Sequence, residues 1–433
     1  MERFWTFLWL LLVPTQLGKH FWLTESYVAG IKVDYLSIIL YLTDMVWLGW
    51  VFSLKKERKK NKIGRILAIL LVILVNVWMA EARWVAVYRW LKMGQWVVTV
   101  WLVAENKEKI KEILLKVVPI WILMEVFLAV SQVAKGGSLE GIWYWLGERR
   151  FSFGSVGIAQ MRWGNEATVR AYGSFSHPNS LAGFLLLAWV WWKEEIRNKK
   201  PASVPPERDY DVMRPETRIW YWVVNWSAIL GIILTGSRTV WVLTLLIWIL
   251  ETKSQKPASV PPERDYGMAS PTSANSGMAR QETRRILGRI LVVLGVGAMV
   301  LGLVGREYEL KSFLGGWDSQ GWQKRMSLNM SALKMIADSP IIGVGAGNFT
   351  KRLSEYQKGS FYWLQPVHNI LLLALSETGI VGVIILGSFL KGRLRKINWW
   401  MVVIIMVTGL VDHYWLTLPQ NTWLLAIILG ILG

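Results

Sequence analysis

Long apolar runs, such as Gly64 to Met79 and Leu291 to Val304, constrain this chain more than any other feature of its sequence. A run of roughly 18 residues with few charges is long enough to cross a hydrocarbon core of about 30 Å as a helix. The runs lack the alternating polarity of transmembrane barrel strands, so helices are the expected building block. Twelve crossings are predicted, near 4–17, 34–54, 63–79, 86–104, 112–132, 174–192, 219–234, 239–251, 286–304, 367–389, 398–411 and 419–433. The expected fold is therefore all-α: one polytopic helical membrane domain over 1–433, with a largely helical exterior loop before the tenth helix. The stretch Met1 to Leu17 lacks a small-residue cleavage site and reads as a first helix, not as a removed signal.

Charge sets the orientation. The formal balance of +19 would point to nucleic acid in a soluble protein, but most Lys and Arg sit in short links between apolar runs. These links are Lys55 to Arg65, Lys107 to Lys116, Lys193 to Arg218, Lys253 to Arg289 and Lys391 to Lys396. By the positive-inside rule they are cytoplasmic, which puts both termini there too. Segments 133–173 and 305–366 then fall outside, the second as the catalytic loop, and no nucleic-acid partner is expected. The 29 Trp residues suit interfacial belts, where an apolar ring with one N–H donor bridges lipid and water.

Two interior stretches, 193–218 and 252–285, read as disordered linkers. Lys200 to Tyr210 recurs as Lys256 to Tyr266, rich in Pro, Ser and charge, and two copies flanking membrane helices cannot stack as a solenoid. With no cysteine, thiolate chemistry and disulfides are excluded.

Four segments carry polar chemistry. Arg170, His177 and Asn179 gather donors beside a helix entrance marked by Pro178, where unpaired N–H groups already favour anions. Thr235-Gly-Ser-Arg-Thr239 interrupts Ile219 to Leu250. Two full crossings need about 40 residues, so the junction with Ser237 and Arg238 should lie below the membrane surface. An arginine at that depth costs on the order of 2.5–3.5 kcal/mol and needs a partner or a watery cavity, an anionic ligand being one candidate. Arg325 is a cation at the interface, ahead of an amphipathic stretch, Leu328 to Ala337, and a glycine-rich turn, Asp338 to Phe349. No Lys-Ser or Lys-Thr follows those glycines, so a nucleotide loop is not supported. His368, followed by Asn369, opens a long apolar helix and is the best-placed general base on the exterior side, while Glu377 is an intramembrane carboxylate further along. The exterior carboxylates Glu148, Glu166, Asp318 and Asp338 form no tight metal motif.

Together these residues resemble the O-antigen ligase and polymerase superfamily of bacterial membrane glycosyltransferases. The likeness rests on Gly141 to Arg149, Tyr172 to Gly183, Gly236-Ser-Arg238, Asp338 to Phe349, His368 to Gly379 and Asp412-His-Tyr-Trp415. The resemblance implies a glycan donor carried on polyprenyl pyrophosphate and transfer to an acceptor hydroxyl at the outer face of the cytoplasmic (inner) membrane. It assigns Arg238, Arg325 and, as a weaker third cation, Arg170 to the pyrophosphate, and His368 to the acceptor hydroxyl. His177, Asn179, Ser237, Asn369 and Glu377 are supporting residues. It requires neither metal nor cofactor. Its partners are the bilayer, the lipid-linked glycan and an acceptor glycolipid, glycan or protein. A polymerase shares the scaffold; a flippase of lipid-linked sugars is the alternative class, and it would carry an inverted repeat that is not seen.

Overall fold

The computed structural model describes residues 1–54, 63–155, 157–163, 166–198, 215–254, 319–357, 364–394 and 398–432. The ninth crossing, near 286–304, both copies of the repeated string and the first part of the 305–366 segment lie outside the described residues.

Helices dominate. In chain order they are α1 Glu2–Leu11, α2 Leu42–Ser53, α3 Ile63–Met79, α4 Arg83–Glu105, α5 Lys107–Lys135, α6 Ile142–Trp145, α7 Pro178–Asn198, α8 Pro215–Leu234 and α9 Arg238–Ser254. After the undescribed stretch come α10 Ser319–Asp338, α11 Phe349–Tyr356, α12 Ile370–Leu394, α13 Trp399–Val411, α14 Tyr414–Thr417 and α15 Pro419–Leu432. Three antiparallel strand pairs decorate them: β1 Gly18–Phe21 with β4 Ile38–Tyr41, β2 Tyr27–Val28 with β3 Ile31–Lys32, and β5 Gln160–Trp163 with β6 Glu166–Val169.

Several expected boundaries move. The crossing placed at 34–54 is helical only from Leu42, because Ile38–Tyr41 pairs with Gly18–Phe21 as a strand, with Gly18 opposite Tyr41. The basic stretch from Lys107 to Lys116 is no loop but the first turns of α5. The break inside Ile219 to Leu250 falls at Gly236, in the left-handed region between α8 and α9. Among the described residues, α5 and α12 are long and apolar enough to cross a membrane; α8, α9, α13 and α15 are shorter apolar helices.

Large apolar side chains are exposed on the outside of the bundle as well as packed in its core. α3 exposes Leu67, Leu71, Leu74 and Trp78 at helical spacing, and α8 exposes Ile219, Trp220, Val223, Trp226 and Leu230. Continuous apolar faces of this kind suit lipid, not water. α7 is apolar all round and correspondingly central: from Leu181 to Trp192 each side chain is buried, packed among α5, α8, α13 and α15. The two ends of the bundle are distinct. Glu2 pairs with Lys109 at 2.7 Å, Lys111 with Glu195 at 2.5 Å, and Gly430 packs on Val103, so both termini and the α4–α5 link share one end. The α7 entrance, the α8–α9 junction, the start of α12 and the end of α13 share the other.

One break positions that second end. α12 is interrupted at Gly379, whose φ is +61° and ψ −172°. The Ile380 and Val381 N–H groups donate to Pro340 and Ile341 carbonyls, so the glycine-rich turn replaces the helix's own acceptors. A Cβ at Gly379 would lie 2.2 Å from the Ile341 oxygen, and one at Gly343 would lie 2.5 Å from the Glu377 carbonyl carbon. Glycine is required at both positions by conformation and by space.

Candidate functional site

The loop before α7 is fixed from beneath by two buried side chains of α5. Glu125 accepts from the Ser174 hydroxyl at 2.6 Å and its N–H at 2.8 Å. Gln132 accepts from the N–H groups of Tyr172 and Gly173 and donates to the Gly173 carbonyl at 2.8 Å. This leaves Arg170 at the α8–α9 junction, where its Nε donates to the Thr235 carbonyl at 2.6 Å and its Nη2 to Asn179 Oδ1 at 2.6 Å. Asn179 in turn donates from Nδ2 to Asp412 Oδ2 at 3.0 Å.

Asp412 caps the end of α13 and is the centre of the cluster. Its Oδ1 accepts the His413 N–H at 2.8 Å and lies 3.5 Å from His368 Nδ1. With Nδ1–H toward the carboxylate, His368 Nε2 accepts from the Gln365 amide at 2.8 Å. The His368 and His413 rings are 5.1 Å apart; His413 Nδ1 is 2.7 Å from Thr417 Oγ1, and the Tyr35 ring meets His413 edge-on at 5.5 Å. Arg89 donates to the Tyr35 carbonyl at 3.0 Å.

The electrostatics separate these groups. Burial pushes the His177 imidazolium down to about 3, and the fields of Arg170, His368 and Arg325 add to that. Burial likewise pushes His413 down to about 3, so both rings are neutral near pH 7 and are poor proton acceptors. Burial alone would raise the Asp412 carboxyl, but His368, His413 and His177 hold it well below the usual carboxylate range. Asp412 is therefore an anion beside His368. Arg170 is pushed down to about 10, first by burial and then by the fields of Arg238 and Arg325, which places both guanidinium groups within electrostatic reach of it.

The sequence-predicted residues do not all meet. Arg170, His177, Asn179 and His368 join through Asp412, and Arg238 and Arg325 lie within electrostatic reach of Arg170. Arg170 is already committed to protein acceptors through two of its nitrogens, which makes it a fixed source of field more than a clamp. Ser237 is buried at the start of α9, where its carbonyl accepts the Trp241 N–H. Asn369 caps α12, accepting from Leu371 and Leu372 N–H groups and donating to the Leu410 carbonyl. Glu377 stands apart from the cluster: its carboxylate accepts N–H groups of Gly347 and Phe349 and secures the glycine-rich turn. Of the exterior carboxylates, Glu148 is spent on Gln132 and the N–H groups of Leu139 and Glu140, and Asp338 accepts from the Tyr356 hydroxyl.

Asp412, His413, Gln365, Tyr35 and Arg89 complete the cluster without having been singled out as site residues. The sequence signal for the first two was Asp412-His413 directly after an apolar helix, a pattern that a helix cap would also produce. The ligand atoms of His368, Asp412 and His413 lie within 4.8 Å of one another, a grouping that a metal ion could bridge.

Residues 223–387 match the family model for O-antigen ligases. The matched stretch includes Arg238, Arg325, His368 and the glycine-rich turn, and it bears out the resemblance to that superfamily. Arg170, Asn179 and Asp412 lie outside it and are joined to it by the contacts above. A search of curated proteins found no match to the chain.

Proposed function

We propose that this chain is a membrane glycosyltransferase of the O-antigen ligase kind. It moves a glycan from a polyprenyl-pyrophosphate carrier to an acceptor hydroxyl at the outer face of the cytoplasmic membrane. The observation that carries this reading is Arg170, within the fields of Arg238 and Arg325, beside a His–Asp pair. A pyrophosphate leaving group needs its developing charge neutralised, and guanidinium groups supply permanent charge and paired donors. His368, its Nδ1 turned toward anionic Asp412, takes the acceptor hydroxyl proton at Nε2. The acceptor oxygen bonds to the anomeric carbon as the bond from that carbon to the phosphate oxygen breaks. The electron pair leaves with the lipid pyrophosphate.

No metal takes part in this scheme. The basic links and the shared end of the termini support an arrangement with both termini cytoplasmic and the cluster outside.

The decisive experiment is reconstitution of purified protein with a lipid-linked glycan and candidate acceptors, with mass spectrometry of the products. Transfer should occur and persist in excess chelator. Transbilayer movement of the lipid-linked glycan without a new glycosidic bond would replace this reading with a flippase.

Arg238→Lys should weaken donor binding by about tenfold, since lysine keeps the charge but loses the planar fork that grips a pyrophosphate. Titration of the variant with polyprenyl pyrophosphate measures it; unchanged affinity would remove Arg238 from the donor site.

A further inference from the structure

A second feature at the same end of the bundle has the chemistry of a saccharide subsite. A cleft of about 730 Å³ is lined by Trp22, Leu23, Thr24, Glu25, Ile38 and Trp84. It opens between the β1–β4 pair and the start of α4. Trp84 is 62 % exposed, and its backbone N–H is tied to Glu25 Oε2 at 3.0 Å. Trp22 is held rigid, since it stacks on the His20 ring at 5.3 Å and carries the Lys32 ammonium 3.9 Å over its own ring. The cleft therefore combines an available indole face, a carboxylate, a hydroxyl and a nearby ammonium, fixed in advance by contacts among themselves.

That combination fits one kind of occupant. A lipid chain would set the charges of Glu25 and Lys32 and the Thr24 hydroxyl against an apolar surface, at a cost. A sugar ring presents a C–H face to the indole and hydroxyls to the carboxylate and the threonine, in keeping with pockets that combine aromatic walls and a few placed polar groups.

The position of the cleft says which sugar. The segment that lines it runs from Trp22 through Ser26 into Asp34–Leu36, where Tyr35 meets His413. From there the contacts pass in order to His368, Asp412, Asn179 and Arg170, and then to the fields of Arg238 and Arg325. The cleft and the arginines are thus at opposite ends of this chain of contacts, with the proposed base between them. We infer that the Trp22–Trp84 cleft binds the saccharide portion of the acceptor and guides its hydroxyl to His368. The inference rests on the glycosyltransferase reading for the word acceptor, and on the cleft itself for the word saccharide.

The test uses the full chain in nanodiscs and a panel of fluorescently labelled hexasaccharides built from neutral, amino and uronic acid sugars. At least one should bind the wild type. Trp84→Leu, which keeps an apolar side chain but removes the aromatic plane, should weaken that binding by about tenfold, a typical loss for an aromatic anchor. Trp84→Phe should restore most of it. In transfer assays Trp84→Leu should raise the KM for acceptor by a similar factor, leave kcat near its original value, and leave polyprenyl-pyrophosphate affinity unchanged. Absence of binding across the whole panel, or equal binding by Trp84→Leu and wild type, overturns the inference and makes the tryptophans bilayer anchors. Trp84-dependent saccharide binding in a protein that transfers nothing would keep the subsite and refute the transferase.

Discussion

His368→Ala is expected to lower transfer by about 10²-fold or more, the scale of a positioned general base, while polyprenyl-pyrophosphate affinity stays near the wild-type value. Three imidazoles lie in this cluster, but burial holds His177 and His413 in weakly basic, neutral form. His368 differs from them in lying against the Asp412 carboxylate with its second nitrogen on the Gln365 amide. In the proposed reaction the acceptor hydroxyl takes the place of that amide at Nε2. Single-turnover transfer and donor titration on folded, reconstituted protein separate the two effects. A histidine that only supports structure would reduce the yield of folded protein and spare its specific activity; normal transfer by the alanine variant would refute the assigned base.

The Asp412→Asn exchange is expected to cost transfer on the order of 10²-fold, with a different signature in donor binding. The amide retains the shape of the carboxylate and an acceptor oxygen for the His413 N–H. What it loses is the negative charge that orients His368 and stabilises the imidazolium formed when the hydroxyl proton arrives. The same charge lies one residue, Asn179, from Arg170. Removing it makes the arginine flank more positive, so affinity for a pyrophosphate should hold or increase while transfer falls. A parallel fall in both would mean that Asp412 only holds the loops together.

The arginines and the histidine were legible because each breaks a local rule. Arg238 interrupts a stretch too short for two ordinary crossings, and His368 starts an otherwise apolar helix. Asp412 breaks no rule: a carboxylate after an apolar helix is an ordinary cap, and its partners Asn179 and His368 are remote in sequence. Arg89, inside the 86–104 run, broke the same rule as Arg238 and was passed over; Tyr35 was hidden for another reason. The apolar character of 34–54 reads as one membrane span, and only pairing with Gly18–Phe21 draws Ile38–Tyr41 out of the helix and brings Tyr35 to His413. Glu377 shows the reverse situation. A carboxylate inside an apolar helix looks functional, yet it is matched to N–H groups of a turn about thirty residues earlier, a pairing that periodicity does not reveal.

The contact between Asn179 and Asp412 joins positions 233 residues apart, and the second of them lies between α13 and α15. On the ribosome, Arg170, Arg238 and His368 are synthesised and inserted well before the carboxylate that unites them. A nascent polypeptide thus presents these cations before the carboxylate that orients His368 exists. Orientation of His368 therefore waits on the segment around Asp412, long after the cations are in place.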